Sequence, residues 1–383
     1  MSRNPLLLIC ETVGGKLIKT TVINNTILLL GARAPIALEL ARSFHKKGYL
    51  IILADSLRFP IGRWSNTIVT YERLPCARQL TLKYIEAISL LVSKYDINHI
   101  IPTCEETFYI SRYKKNWNCK VWTPEFELID LLHNKETFSQ EFKNYLNIPE
   151  TLSLESFSNW SQSNRYVFKA KYSRFGSQVF MNQSLTLDAF KKPKNWIVQK
   201  KIEGKEICIY SIWDTGKLKG YTSYEPVYRA GKGAGIYFKS VKNIEAKRQV
   251  ENFGSTLNYT GQLSFDVIIS NNTPYFIECN PRGTSGAHII NNNLADCFFN
   301  EDKKATIKTG DFMLTSLMLL THPFKFLSKN IRNSKGVIFS LKDPVPAFAQ
   351  LLSVLELVFI KLSKGISLLE ATTYDIEWNG HES

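Results

Sequence analysis

This 383-residue sequence is informative first for what it lacks. Its seven cysteines (10, 76, 104, 119, 208, 279 and 297) are odd in number and form no Cys-x-x-Cys pair. That spacing argues against a disulfide framework and structural zinc, and it fits a reducing, cytoplasmic compartment. Before Glu11 the only apolar run is Leu6–Cys10, too short for a signal-peptide core. No uninterrupted apolar run approaches the ~18 residues of a spanning helix. Residues 345–362 come nearest but are broken by Gln350, Glu356 and Lys361, and they read as an amphipathic helix packed on the body. The phosphate loop Gly-x4-Gly-Lys-Ser/Thr is absent, and Gly31 stands alone where a dinucleotide fingerprint would need three glycines. No internal repeat or low-complexity tract is visible. The net charge of +14 is spread over scattered residues, with only short clusters at 191–194 and 200–201. A solvated basic surface that attracts small anions is expected, with no nucleic-acid partner and no membrane.

What is present begins with alternation. Residues 1–25 form a leader, read as two short strands joined at Gly14-Gly15. Ile27–Leu30 is a buried strand that Gly31 ends, and Pro35 suits the first turn of the next helix. Strand Leu50–Ala54, helix 77–94, strand His99–Ile101, strand Lys120–Trp122 and helix 125–133 follow. Strand–helix alternation implies a doubly wound parallel sheet over residues 26–133. Asp55 falls near the place of a ribose-binding acid, but a structural βαβ unit is the better reading. Glu105 and Glu106 follow His99–Ile101 at the carboxyl edge of that sheet, where α/β ligands bind. Either acid could hold a substrate amine or cap the next helix.

From Asn134 the pattern changes. Asn134 caps helix 135–146, then strand Tyr166–Lys171, strand Gln178–Met181, a short helix Thr186–Lys192 and strand Trp196–Lys200 make a small lid unit over about 151–200. A strand at 206–213, a loop at 229–235 and helix 245–258 come next. Residues 134–300 form one domain, and 301–383 a mostly helical region.

The densest chemistry lies at 266–282. Phe265–Ile269 and Tyr275–Glu278 flank the turn-rich Ser270–Pro274, which predicts a hairpin. Centred on Asn272, it puts Asp266 opposite Glu278, with Cβ atoms about 4.5–5.5 Å apart. Two opposed carboxylates in an apolar setting repel each other, and a hard cation relieves them. Asp266, Glu278 and Asn280 carry the oxygen donors that Mg²⁺ prefers. Arg282 projects from the same face, whereas Cys279 points the other way, into packing. His288 follows as the one histidine nearby.

Upstream, Lys169 and Lys171 lie in an apolar strand and call for an anionic partner. The loop Ser173-Arg174-Phe175-Gly176-Ser177 could close backbone N–H groups over phosphates. Ile197–Glu206 runs from a strand into a turn, where backbone groups at Lys200 and Ile202 could face a base and Glu206 a ribose. Arg229–Gly235, with three glycines and two cations, is either a substrate-carboxylate loop with Arg229 as its fork or a plain β-connection.

In this order, Lys135, Val-Phe-Lys-Ala, Ser-Arg-Phe-Gly-Ser, Val-Gln-Lys-Lys-Ile-Glu-Gly-Lys-Glu and Asp-x11-Glu-Cys-Asn-Pro-Arg, the chain resembles the ATP-grasp superfamily over about 27–300. It is most similar to the branch with carbamoyl phosphate synthetase-like and biotin carboxylase-like domains. The resemblance implies a pre-ATP-grasp α/β domain followed by the α+β grasp fold. It implies an ADP-forming ligase that activates a small-molecule carboxylate with ATP and joins it to an amine, and a homodimer by fold analogy. Lys135 and Lys169 would touch phosphates, with Ser173, Gly176 and Ser177 closing above. Gln199, Lys200 and Ile202 would meet adenine, and Glu206 the ribose. Asp266, Glu278 and Asn280 would hold Mg²⁺, or Mn²⁺ as its alternative, and Arg282 would steady the acyl phosphate. Glu105, Arg229 and His288 are the candidate substrate contacts. Other readings are a bicarbonate-activating enzyme, a catalytically silent nucleotide-binding protein and a dinucleotide oxidoreductase.

Overall fold

The computed structural model describes residues 10–13, 16–19, 25–174, 176, 178–231, 233–291, 293–299, 305–326, 328, 331 and 333–380. In chain order the first elements are β1 (Cys10–Val13), β2 (Lys16–Lys19), β3 (Thr26–Leu30), α1 (Pro35–His45), β4 (Leu50–Asp55), β5 (Thr70–Arg73), α2 (Thr81–Lys94), β6 (Ile97–Ile101), α3 (Glu106–Tyr113), β7 (Lys120–Val121), α4 (Phe126–His133) and α5 (Lys135–Glu141). Next come β8 (Thr151–Ser153), β9 (Tyr166–Ala170), β10 (Val179–Met181), β11 (Trp196–Lys200), β12 (Lys205–Asp214), β13 (Lys217–Ala230), β14 (Ala234–Val241), α6 (Ile244–Thr256), β15 (Gly261–Ser270) and β16 (Thr273–Asn280). The chain continues with α7 (Asp296–Phe299), β17 (Asp311–Met313), α8 (Thr315–Thr321), α9 (Pro323–Phe326), β18 (Lys335–Gly336), α10 (Val345–Lys364) and α11 (Leu368–Ala371).

The apolar run Ile27–Leu30 makes β3 the central strand of a five-stranded parallel sheet, order β5-β4-β3-β6-β7. Alternation sends Ile27 and Leu29 to a core with α1, and Leu28 and Leu30 to one with α2. Helices on both faces explain why this strand is apolar on both. Gly31 (φ 82°) ends it because a Cβ there would overlap the Thr103 hydroxyl, which donates to the Leu30 carbonyl at 2.8 Å. Close approach of two loops, not a phosphate, requires that glycine.

A second sheet, order β10-β9-β11-β8, is antiparallel and packs its own aromatic cluster of Phe157, Phe168 and Phe190. The third has seven strands, order β16-β15-β12-β13-β14-β17-β18, with α5 and α6 against its first strands. The long hairpin β13–β14 was not legible: the expected loop at 229–235 is only its tip, Ala230 pairing with Ala234. The expected helix Thr186–Lys192 is absent. A single 3-10 turn, Leu187–Ala189, stands there, because Pro193 disfavours helix in the residue before it and Phe190 turns inward onto Phe168 and Trp196. Helix 135–146 ends early, at Glu141.

Among the described residues after 300, helices α8 to α11 are joined by turns, and β17 and β18 extend the seven-stranded sheet. Helix α10 corrects the expectation for 345–362. It is long and apolar enough to cross a membrane by length and composition, and it does not bury its apolar face: Phe348, Leu351, Phe359 and Leu362 are exposed.

Candidate functional site

The site grows from the β15–β16 hairpin. Asn271 and Asn272 both adopt left-handed φ (49° and 63°), so the turn is a two-residue one between Ser270 and Thr273 rather than the expected five-residue loop. That turn alone would set Asp266 opposite Ile277. One extra residue on β16, between Phe276 and Glu278, shifts the register and restores Asp266 opposite Glu278, Phe265 opposite Cys279 and Ser264 opposite Asn280. The acid pair thus forms as the sequence predicts, by two compensating irregularities.

Cys279 points into the core with Phe265 and Phe276, leaving Glu278 and Asn280 on the site face. Asn280 Nδ2 donates to Asp266 at 3.3 Å, and its Oδ1 accepts from Arg282 at 3.1 Å. Burial, then Glu278 and Glu206, push the Asp266 carboxyl well above its ordinary value. From β12, Glu206 and Cys208 approach the same carboxylate, and the Cys208 thiol donates to it at 3.2 Å. Cys208 was missed from sequence, because only the β12–β15 pairing sets it opposite Asp266.

Cations face this cluster. Lys135, at the start of α5 and 2% exposed, lies 3.5 Å from Glu278 and donates to the Ser173 carbonyl at 3.3 Å. Lys169, on β9 and 6% exposed, donates to Gln199 at 2.8 Å and to the Ile277 carbonyl at 3.4 Å. Burial lowers its pKa to about 8 against the opposing pull of Glu278. Lys171 lies just past β9 and pairs with Glu136 instead of adding to this surface. Lys200 ends β11 and Ile202 lies just past it, and the Lys200 N–H donates to the Glu150 carbonyl at 2.8 Å. Gly176 sits in the loop before β10 with φ 64°, while Ser177 lies outside the described residues.

Arg282 reaches toward the parallel sheet, 3.8 Å from Glu105. Gly283 N–H to the Thr103 carbonyl (3.1 Å) and Gln262 to the Pro102 carbonyl (2.8 Å) fasten this loop to that sheet's carboxyl edge. There neither acid is the helix cap that the sequence allowed. Glu106 opens α3 and its side chain reaches back, accepting from the N–H groups of Thr103 (2.8 Å) and Cys104 (3.0 Å) ahead of the helix. Glu105, 2% exposed, accepts from Arg174 and from the Trp378 N–H at 3.0 Å. Arg174 was missed as an anchor although it stands inside the Ser-Arg-Phe-Gly-Ser stretch.

Two other candidates lie elsewhere in role. Arg229 is paired with Glu206 and with the Gly233 carbonyl, so the cation proposed for substrate and the acid proposed for ribose bind each other here. His288 is buried, its Nδ1 3.3 Å from Glu39 on α1, at a cavity of about 310 Å³ lined also by Arg42, Lys46, Lys308 and Lys335. It does not join the acid cluster. Asp55 is held by Arg33, Ser56 and the Leu57 N–H, with Asp375 on the same arginine. These partners occupy the Asp55 carboxylate that a dinucleotide ribose would need.

A family model described as "ATP-grasp domain" matches residues 132–286. No curated protein matches the sequence. The structure is similar to N5-carboxyaminoimidazole synthetase from Staphylococcus aureus complexed with ADP, with TM-score 0.58, 15% identity, and coverage of 75% of this chain and 81% of that one. It is similar to biotin carboxylase from Campylobacter jejuni, solved as a β,γ-ATP complex, with TM-score 0.56, 16% identity, and 75% and 74% covered. For L-amino acid ligase from Bacillus licheniformis the values are 0.54, 12%, 71% and 69%. At such identities the likeness concerns the fold. Together with the match over the acid hairpin and both buried lysines, it shows that the chain carries an ATP-grasp domain and has the ATP-grasp fold.

Proposed function

We propose that this chain is an ATP- and Mg²⁺-dependent ligase that converts a small-molecule carboxylate to an acyl phosphate and joins it to an amine, releasing ADP and phosphate. The observation that carries the reading is the convergence of two nearly buried lysines, Lys135 and Lys169, on the Asp266–Glu278 pair, with Arg282 at its rim. A structural hairpin has no need of opposed, half-buried acids faced by buried lysines.

The residues fit a divalent cation. Burial, then the acids facing it, hold Asp266 above its ordinary value, and a cation among Asp266, Glu278 and Asn280 would relieve that conflict. In that role Asn280 would offer the cation the amide oxygen that accepts from Arg282 here. When bound, Mg²⁺ neutralises charge on the phosphate oxygens. Lys135 and Lys169 bind phosphate, and Gln199 orients Lys169 from β11. The Ser173–Gly176 segment shields the site from water. A substrate carboxylate oxygen attacks the γ-phosphorus and the bond to the β-phosphate oxygen breaks, giving ADP and an acyl phosphate. Arg282, positioned by Glu105, stabilises the added charge. The amine nitrogen then attacks the acyl carbon, phosphate leaves, and the ammonium proton passes to solvent.

The test is ADP and phosphate release across paired amino acids and carboxylic acids. Stoichiometric ADP and phosphate are expected with the right pair, falling by about 10³-fold in Glu278→Gln. AMP with pyrophosphate as products overturns the reading.

A further inference from the structure

Helix α10 is built inside out. Its 20 residues end at Gly365, whose left-handed φ of 65° stops the helix. At 3.6 residues per turn, Gln350, Ser353 and Glu356 share one side with Pro346 and Ala349. That side faces the protein. The Glu356 carboxylate accepts from the N–H groups of Arg58 and Phe59, both at 2.7 Å, and Ser353 donates to the Phe59 carbonyl at 2.6 Å. The other side carries no polar residue from Val345 to Leu362. Phe348 is 75% exposed, Leu351 67%, Phe359 70% and Leu362 74%, with Val345 and Leu355 also about half exposed or more. A contiguous apolar stripe of this size on a helix exceeds what a monomer ordinarily shows to water.

Charge around the stripe identifies its partner. Between Lys335 and Gly365 the sequence has two acids, Asp343 and Glu356. Both are turned inward: Asp343 is buried against Arg42 (2.8 Å), Ser65 (2.8 Å) and the Asn66 N–H (3.0 Å). The exposed charges at the two ends are all positive, Lys342 before the helix and Lys361 and Lys364 in its last turn. Exposed Arg58 and Arg63 flank it on the segment whose N–H groups donate to Glu356. A second copy packed antiparallel would set Lys342 against Lys361 and Lys364, and a parallel copy would set each lysine against itself. Within residues 335–365 neither brings an acid to meet them. A sheet of anionic headgroups over hydrocarbon satisfies both the stripe and the cations.

We propose that the outer face of α10 is a docking surface for an anionic phospholipid bilayer, on which the helix lies in the interface plane while its polar side stays fastened to the protein. The contacts of Asp343, Ser353 and Glu356 hold it flat, and a spanning orientation would break all of them. This surface is independent of the acid hairpin and of the ligase reading.

Flotation of the purified full-length protein with phosphatidylcholine vesicles, with and without phosphatidylserine, tests it. Binding to the anionic vesicles is expected, weakened by salt and by omission of phosphatidylserine. The triple variant Phe348→Gln, Leu355→Gln, Phe359→Gln should lose it while keeping its far-UV circular dichroism and its ADP binding. Lys361→Gln with Lys364→Gln should weaken binding to anionic vesicles about tenfold or more and leave binding to neutral ones unchanged. Three results overturn the proposal: no flotation of the unaltered protein, a dimer in light scattering that the triple variant abolishes, or bound protein that only detergent extracts, which would mean insertion.

Discussion

Lys169 serves two opposed demands. It must be desolvated to sit under β11, and it must be charged to hold phosphate. Burial wins part of this contest and brings its pKa to about 8, although Glu278 and Asp266 pull the other way. The sign follows: the phosphate-binding form is complete well below pH 8 and is lost as pH rises through that value. MgATP affinity should therefore fall above pH 8, with proton uptake on binding there, measurable by calorimetry in buffers of different ionisation enthalpy. Lys169→Met should remove this pH dependence and weaken binding by about tenfold or more, the value of a charge-assisted hydrogen bond. Residues of this kind were legible because they break a local rule, a lysine in an apolar strand or two acids set face to face. Glu206 and Arg229 were assigned to ribose and substrate from sequence, yet they bind each other. Their partnership crosses the β12–β13 pairing, and no local pattern announces it.

At the scale of elements, the acid hairpin depends on a turn and an extra residue that cancel. Asn271 and Asn272 tolerate left-handed backbone because their short polar side chains compensate locally. Asn272→Val should cost about 1–2 kcal/mol by urea denaturation. It should also reduce ADP release beyond what stability explains, because a slipped turn moves Asp266 off Glu278 by one position and reverses its face. Alternation of apolar and polar residues made the strands readable, and Asn134 was readable as a cap because its side chain accepts from the Glu136 N–H at 2.9 Å. The helix proposed at 186–192 failed for the converse reason. Its composition suits a helix, but Pro193 and the inward packing of Phe190 prevail.

Over the whole molecule, the last described residues fasten the parallel sheet to the grasp domain. Asp375 meets Arg33 beside Asp55, Glu377 meets Arg78 and Arg174, and Trp378 stacks on Phe108. Burial pushes the Asp375 carboxyl up, but Arg33 and Ser56 more than offset this and hold it below its ordinary value. A depressed folded pKa means stabilisation that is complete above the unfolded value of about 3.9 and lost as pH falls through the lower folded value. Asp375→Asn should cost about 3 kcal/mol at neutral pH, since it leaves Arg33 buried with one partner fewer, and should flatten the acid limb of a stability–pH profile. No local pattern in the sequence marks this segment. Its partners lie some 200 to 340 residues away in the chain.

By itself the sequence determined the parallel sheet, the opposed acids, the buried lysines and the ATP-grasp resemblance, because each is written in spacings of two to a dozen residues that backbone geometry enforces. Tertiary structure alone decided what Glu105 and Glu106 each hold, which cations are spent on neighbours, and which side of α10 meets water. Those outcomes depend on what faces a residue across space, and a helix with one polar and one apolar side reads the same from either direction until the body that holds it is in place.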